Sequence, residues 1–334
     1  MGPGGRYSAA IEILADILAR PRPVAVTLRD WARANRFAGS GDRAAIGNLV
    51  YDVLRRKASC AHRMADDAPR ALVIATLADH WGLSVEEMVA AFDEQYGPGS
   101  LTAAERERLA QPADAAPPHV AGDWPDWLID ELHEAFGTVA VDQACALAER
   151  APVDLRVNTL KVDRQKLLKA MAKYGAAEAP LSPLGVRLPV PSADGRNPNV
   201  EADPAHARGW FEVQDAGSQV AALMCDAKPG HQVADICAGA GGKTLALAAA
   251  MNNKGQLFAH DADKHRLRPI FDRIGRAGAR NVQVIAADEP ERLEALQDRM
   301  DRVVVDAPCS GSGAWRRRPD AKWRFNQRLL ADRL

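Results

Sequence analysis

The chain is poor in the features that mark several common classes. Its five cysteines, Cys60, Cys145, Cys225, Cys237 and Cys309, are widely spaced, odd in number and never form a CxxC pair. That argues against a disulfide framework and against a structural zinc site. No apolar run approaches the roughly 20 residues that span a bilayer. The start, Met1-Gly2-Pro3-Gly4-Gly5-Arg6, lacks the apolar core of a secretory signal. There is no excess charge of one sign: 43 basic residues face 44 acidic ones, for a formal net charge of −1. Nucleic acid would have to meet a local basic patch rather than an overall positive field. No internal repeat is visible. These absences leave a reducing, cytoplasmic compartment and neither membrane nor metal as expectations.

What is present is ordinary globular composition, 47% hydrophobic and 26% charged, over 334 residues, enough for two or three domains. The first part reads as helices. Ile11, Leu14, Ile17 and Leu18 repeat at helical spacing. Ser40 or Asp42 caps a helix through Ile46, Leu49, Val50, Val53 and Leu54. Pro69 opens another, closed by Gly82, and Ser84 with Glu87 forms a capping-box pattern. This bundle ends near Leu109, before the Pro/Ala-rich linker 111–118. Asp123 to Phe136 and Val139 to Ala148 are the next predicted helices.

A small α+β segment follows, with strands at 154–158 and 184–190, a helix at 163–174 and a loop at 191–207. From residue 215 strands at 232–236, 256–260, 282–286 and 302–305 alternate with helices at 243–251 and 263–277. That order predicts a parallel, doubly wound sheet. The expected domains are 1–118, 119–205 and 206–334.

Two loops carry the chemistry. Asp235-Ile236-Cys237-Ala238-Gly239-Ala240-Gly241-Gly242-Lys243-Thr244 runs from a strand through glycines into a helix, where the backbone approaches a ligand closely and helix N–H groups are open. Gly242-Lys243-Thr244 ends like a P-loop, but the first glycine of that pattern would stand where Cys237 is. The G-x-G-x-x-G dinucleotide pattern fails at Thr244. S-adenosylmethionine fits better, with Asp261, at the end of the second strand, binding the ribose hydroxyls. The alternative is a structural turn beside a solvent-exposed carboxylate.

The second loop is Asp306-Ala307-Pro308-Cys309-Ser310-Gly311-Ser312-Gly313, at the carboxyl end of the fourth strand. A lone cysteine is commonly an inert core residue. One set between Pro308 and Gly311 at a strand end is a reactive candidate. A thiolate suits methylation of cytosine, because its addition at C6 makes C5 nucleophilic.

These two loops, with Arg156-Val157-Asn158-Thr159-Leu160-Lys161, Val213-Gln214-Asp215-Ala216-Gly217-Ser218-Gln219, Arg317-Arg318-Pro319-Asp320 and Lys322-Trp323, resemble the bacterial Sun/Fmu-type members of the Nop/Sun family of RNA cytosine-5 methyltransferases. The resemblance runs from about residue 125 to the end. More weakly, the helical part resembles the NusB-like RNA-binding domain that precedes the catalytic core in 16S rRNA enzymes of the family.

The resemblance implies a Rossmann-like class I S-adenosylmethionine-dependent methyltransferase core with an incomplete sheet, preceded by an all-helical domain and the small α+β segment. It implies a monomer that methylates a cytosine in 16S rRNA. Cys237, Ala238, Gly239, Ala240, Gly241, Gly242 and Lys243 would cradle the cofactor, Asp261 hold its ribose, Asp288 lie by the adenine and Asp306 sit near the methionine end and the target base. Ala240 stands where the family usually has proline, which should loosen the loop. The family has two active-site cysteines. Cys309 matches the one that assists product release. The nucleophile belongs to a Thr-Cys motif on a later strand, and no cysteine follows Cys309. The expectation is a fragment, with Cys309 as nucleophile the alternative.

Arg316, Arg317, Arg318, Lys322, Arg324 and Arg328, interleaved with Trp315, Trp323 and Phe325, make an RNA-contact candidate, against the simpler reading of a solvated charged helix. Arg55-Arg56-Lys57 is a weaker candidate. A cofactor- and RNA-binding but inactive protein, and a P-loop NTPase, are the rival functions. Without further strands, the fourth strand would be an exposed apolar edge.

Overall fold

In the computed structural model, residues 1–20, 22–112 and 114–333 are described. Ala113, inside the expected linker, and the terminal Leu334 fall outside them. The chain divides into two compact units, and the cuts differ from the expected domain boundaries. The first unit holds residues 1–151, the loop 191–197 and the C-terminal segment 309–334. The second holds 152–190 and 198–308.

The first unit is helical. Pro3–Ala19, Val24–Ala34, Ser40–Arg55, Lys57–Met64, Pro69–Asp79 and Val85–Phe92 bury a core around Ile13, Leu14, Leu49, Leu72, Ile74 and Phe92. The capping box is as predicted: Glu87 N donates to Ser84 Oγ at 3.1 Å, and Ser84 N to Glu87 Oε2 at 2.8 Å. The helix expected from Asp123 instead begins as a 3-10 turn, Asp126–Leu128, followed by Ile129–Phe136. Asp123 has φ of 56° and caps another helix, accepting from Ser59 N (2.9 Å) and Ser59 Oγ (2.7 Å). The loop 191–197 joins this unit through Asn48, which donates to the Ala193 and Gly195 carbonyls at 3.0 and 2.7 Å.

The segment 309–334 was expected to end the catalytic domain. Its side chains explain why it belongs with the helices. Trp315 is buried in a cluster with Trp124, Leu128 and Leu132. Trp323 packs on the main helical core and donates its indole N–H to the Leu54 carbonyl at 2.5 Å. Asp320 accepts from Val24 N at 3.3 Å.

The second unit holds two sheets. Strands β1 (Val153–Val157), β2 (Ala177–Glu178), β3 (Gly185–Leu188) and β4 (Phe211–Val213) form an antiparallel sheet in the order β2-β3-β1-β4. Strands β5 (Gln232–Asp235), β6 (Gln256–His260), β7 (Val282–Ile285) and β8 (Arg302–Val304) form a parallel sheet in the order β7-β6-β5-β8. The parallel sheet is the Rossmann-like core that the alternation predicted. The helix expected over 263–277 is broken into Lys264–Leu267 and Ile270–Ala277, because Pro269 has no N–H to continue the ladder. β2 and β4 are too short to show periodicity, so the sequence did not reveal them.

Asn158 joins the two sheets' layers. Its buried side-chain amide donates to the Gly209 carbonyl and to the Ala277 carbonyl, both at 2.8 Å. β8 is the last strand in its sheet, and Val303 and Val305 are 53% and 60% exposed. No helix among the described residues is long and apolar enough to cross a membrane.

Two outcomes follow from this packing. Asn158→Ala removes two bonds to buried carbonyls and should lower stability by about 2–3 kcal/mol, read as a shift of the urea midpoint at unchanged slope. Val303→Lys puts a charge on the edge strand and should reduce concentration-dependent light scattering. Unchanged scattering would show that β8 is not the associating edge.

Candidate active site

β5 lies between β6 and β8, and its carboxyl end is therefore central, where ligands bind in such sheets. Val233 and Ala234 are buried and fix the strand. Beyond Asp235 the chain turns back on itself. Ala238 N donates to the His260 carbonyl and Gly241 N to the Ala238 carbonyl, both at 2.9 Å. Gly241 has φ of 85°, and a Cβ there would stand 2.5 Å from Ile270 Cγ1, so only glycine permits this approach of loop to helix. The helix Gly242–Ala250 then begins, and its first N–H groups have no intrahelical acceptor.

Asp261 follows β6 and is buried. Its Oδ2 accepts from Gly239 N and its Oδ1 from Asp263 N, both at 2.9 Å, and Arg266 Nη1 lies 3.7 Å away. The solvent-exposed alternative is thus corrected: the carboxylate is an integral part of the glycine turn. Each oxygen keeps acceptor capacity beyond one backbone bond, as a ribose diol would need.

Lys243 Nζ donates to Asp306 Oδ2 at 2.5 Å, linking the glycine loop to the segment after β8. Below them Asp235 is buried, with Oδ2 accepting from Thr244 Oγ1 at 2.7 Å. Burial pushes the Asp235 carboxyl above the usual carboxylate range, against the lowering effects of Thr244 and Lys243. Burial, helped by Asp261 and Asp235, also pushes the Cys237 thiol up, which suits a neutral wall residue and not a nucleophile.

Asp288 follows β7 and is exposed. It lines a cavity of 620 Å³ with Leu267, Phe271, Val284, Ala286 and Glu289. Gly239, Lys243, Asp261 and Asp306 come together by direct bonds, and Asp288 lines this separate cavity beside β7. Cys309 is exposed and opens the C-terminal segment of the helical unit.

The expected RNA contacts separate. Arg317 and Arg318 are exposed. Lys322 is buried, and its Nζ donates to the Arg55 carbonyl at 3.1 Å and lies 5.0 Å from the Trp323 ring. Arg316 Nη2 donates to the Arg150 carbonyl at 3.1 Å, and its own carbonyl accepts from Arg55. Lys322 is therefore an anchor within the helical unit and not a surface contact. The charge pattern hid this because a lysine following Asp320 and Ala321 looks solvated.

Residues that gained no role from the sequence complete the site. Arg156 Nη1 donates to the Gly242 carbonyl at 2.6 Å, and Arg273 Nη1 to the Ala240 carbonyl at 2.7 Å. Glu212 accepts from Arg273 and Arg276. The available signal was a charge at an inward position of each strand, Arg156 in β1 and Glu212 in β4.

Residues 222–332 match the family described as 16S rRNA methyltransferase RsmB/F, and residues 124–193 its RsmF/B-like ferredoxin-like domain. The chain is 30% identical over 212 residues to a probable ribosomal RNA small subunit methyltransferase B of Synechocystis, covering 62% of this chain and 46% of that one. It is 33% identical over 203 residues to the ribosomal RNA small subunit methyltransferase F of Escherichia coli, covering 59% and 42%. The matched region spans about half the length of these curated relatives. Among solved structures, a methyltransferase homolog from Pyrococcus horikoshii is 31% identical with a TM-score of 0.50, covering 59% of this chain and 64% of that one. The crystal structure of PH0851 shares the fold at 21% identity and a TM-score of 0.68, over 99% of this chain and 80% of that one. The P-loop alternative is set aside.

Burial lowers the Lys322 ammonium from 10.5 to about 8. Between those values the unfolded chain holds a proton that the folded chain has lost, so this group's stabilisation is complete above pH 10.5 and lost as pH falls through about 8. The stability of the parent relative to Lys322→Met should accordingly rise across that window in urea titrations. A flat difference would place Lys322 in solvent.

Proposed function

Starting from a chain that belongs to the 16S rRNA methyltransferase RsmB/F family, we propose that it binds S-adenosylmethionine and methylates C5 of a cytosine in small-subunit rRNA. The observation that carries this is the bonded set Gly239–Asp261 and Lys243–Asp306 at the carboxyl ends of β5, β6 and β8. It offers open helix N–H groups and a cation for the methionine carboxylate, and a buried carboxylate for the ribose. Asp288 and its mostly apolar cavity suit the purine side.

The cofactor supplies an electrophilic methyl group on sulfonium. This chain's residues orient it: the glycine loop holds its methionine end, Asp261 holds the ribose, and Asp306, anchored by Lys243, stands near the target base. For this chain to turn over by itself, the Cys309 thiolate adds to C6 of the base, C5 then takes the methyl group from the sulfonium, and loss of the C5 proton with departure of the thiolate restores the ring. The target must be unstacked, because C6 is covered in a duplex. Arg317 and Arg318 are exposed cations for the RNA backbone. A monomer in the reducing cytoplasm suits a chain whose five cysteines are all unpaired.

A second reading is binding of cofactor and RNA without turnover. Calorimetry with S-adenosylmethionine, paired with transfer of labelled methyl to 16S rRNA, separates the two. Binding with label at C5 of cytosine supports the methyltransferase, and binding without label supports the second reading. Absence of binding, or ATP hydrolysis sensitive to Lys243→Ala, would sink both.

A further inference from the structure

Two arginines reach the glycine loop from outside it. Arg156 comes from β1 and Arg273 from the helix Ile270–Ala277. Arg156 Nη1 donates to the Gly242 carbonyl at 2.6 Å and to Gln214 Oε1 at 2.5 Å. Arg273 Nη1 donates to the Ala240 carbonyl at 2.7 Å. The two carbonyls bracket Gly241, the residue with φ of 85°.

A peptide group is planar, so fixing a carbonyl fixes the N–H of the next residue, pointing the opposite way. Arg273 thereby sets the Gly241 N–H, which donates to the Ala238 carbonyl at 2.9 Å. Arg156 sets the Lys243 N–H, in the first turn of its helix, where no intrahelical acceptor exists. Both arginines are themselves held. Glu212 Oε2 accepts from Arg273 Nε and Nη2 at 3.1 and 2.8 Å, and Glu212 is the cross-strand partner of Arg156 in the β1–β4 pairing. Arg156 and Glu212 are each 3% exposed. A buried guanidinium spent on two neutral oxygens is expensive unless the geometry it enforces matters.

We infer that Arg156 and Arg273 are positioning residues that lock the 240–241 and 242–243 peptide planes, so that the loop keeps its turn and presents the Lys243 N–H to the amino-acid carboxylate of the cofactor, with Glu212 holding Arg273 in place. The inference rests on the glycine loop holding the methionine end.

The test uses the full chain with two probes, S-adenosylmethionine and 5′-methylthioadenosine, which keeps the nucleoside but lacks the amino-acid carboxylate. In calorimetry, Arg156→Met and Arg273→Met should each weaken S-adenosylmethionine about tenfold and leave 5′-methylthioadenosine within about twofold, as expected when one charge-assisted bond is lost. Arg156→Lys and Arg273→Lys, which keep a donor, should recover part of the loss. Amide exchange of the ligand-free chain should quicken over 238–244 and not over β6.

Equal weakening of both probes would reduce the arginines to general stabilisers and overturn the inference, as would unchanged affinities in both Met variants. If those variants do not fold, the Lys variants decide: equal weakening of both probes overturns it. A parent chain that binds 5′-methylthioadenosine but not S-adenosylmethionine overturns the methionine-end assignment and the clamp with it.

Discussion

The second unit is organised around one buried carboxylate. Glu212 sits in β4, and its oxygens accept from Arg273 Nε and Nη2 and from Arg276 Nη2. Taking such a charge out of water is costly, and it is tolerated where several donors surround it. Because the donors lie on the helix after β6 and the acceptor on the antiparallel sheet, the pair binds one sheet's layer to the other's. Asn158 repeats the connection at the end of the same helix, through the Ala277 carbonyl. The glycine loop rests on this junction: Arg273 spans from Glu212 to the Ala240 carbonyl. That bond braces the loop where alanine stands at 240.

Within the site, side chains act mostly through backbone. Asp261 shapes the turn by accepting from Gly239 N, and Arg156 and Arg273 act on loop carbonyls. Lys243 and Asp306 make a direct ion pair between the glycine loop's helix and the segment after β8, and Asp306 is 59% exposed on its side chain, open to a partner. Such a division suits a ligand with one carboxylate, one ribose and one purine, each met at a different strand end. It also separates rigid elements from reactive ones. Asp235 and Thr244 are locked in the interior, and the exposed groups are Asp288, Asp306 and Cys309.

The parts of this arrangement legible in the sequence were those that local rules dictate. β6 was read with its observed ends, because an apolar run stopped at an acidic residue. The Ser84–Glu87 box and the glycine loop were legible for similar reasons, since spacing alone encodes them. The long-range pairs were not. Nothing near Arg156 announces that its guanidinium meets Gly242, 86 residues away. Two-residue and three-residue strands such as β2 and β4 carry too few positions to show a period. Prolines were visible, but the breaks they imposed at Pro125 and Pro269 were overridden by apolar periodicity that continues on both sides.

The C-terminal segment shows the same limit in a form that bears on catalysis. Its arginines, lysine and tryptophans fit a solvated, nucleic-acid-facing helix by composition. In the structure the tryptophans decide, because burying an indole yields more than burying a nearby lysine costs, provided the ammonium finds an acceptor. Lys322 finds the Arg55 carbonyl, and Trp323 the Leu54 carbonyl. The segment that begins at Cys309 is thereby fastened to the helical unit, while Asp306 and Pro308 belong to the other. The proposed reactive thiol and the proposed cofactor loop thus belong to different compact units.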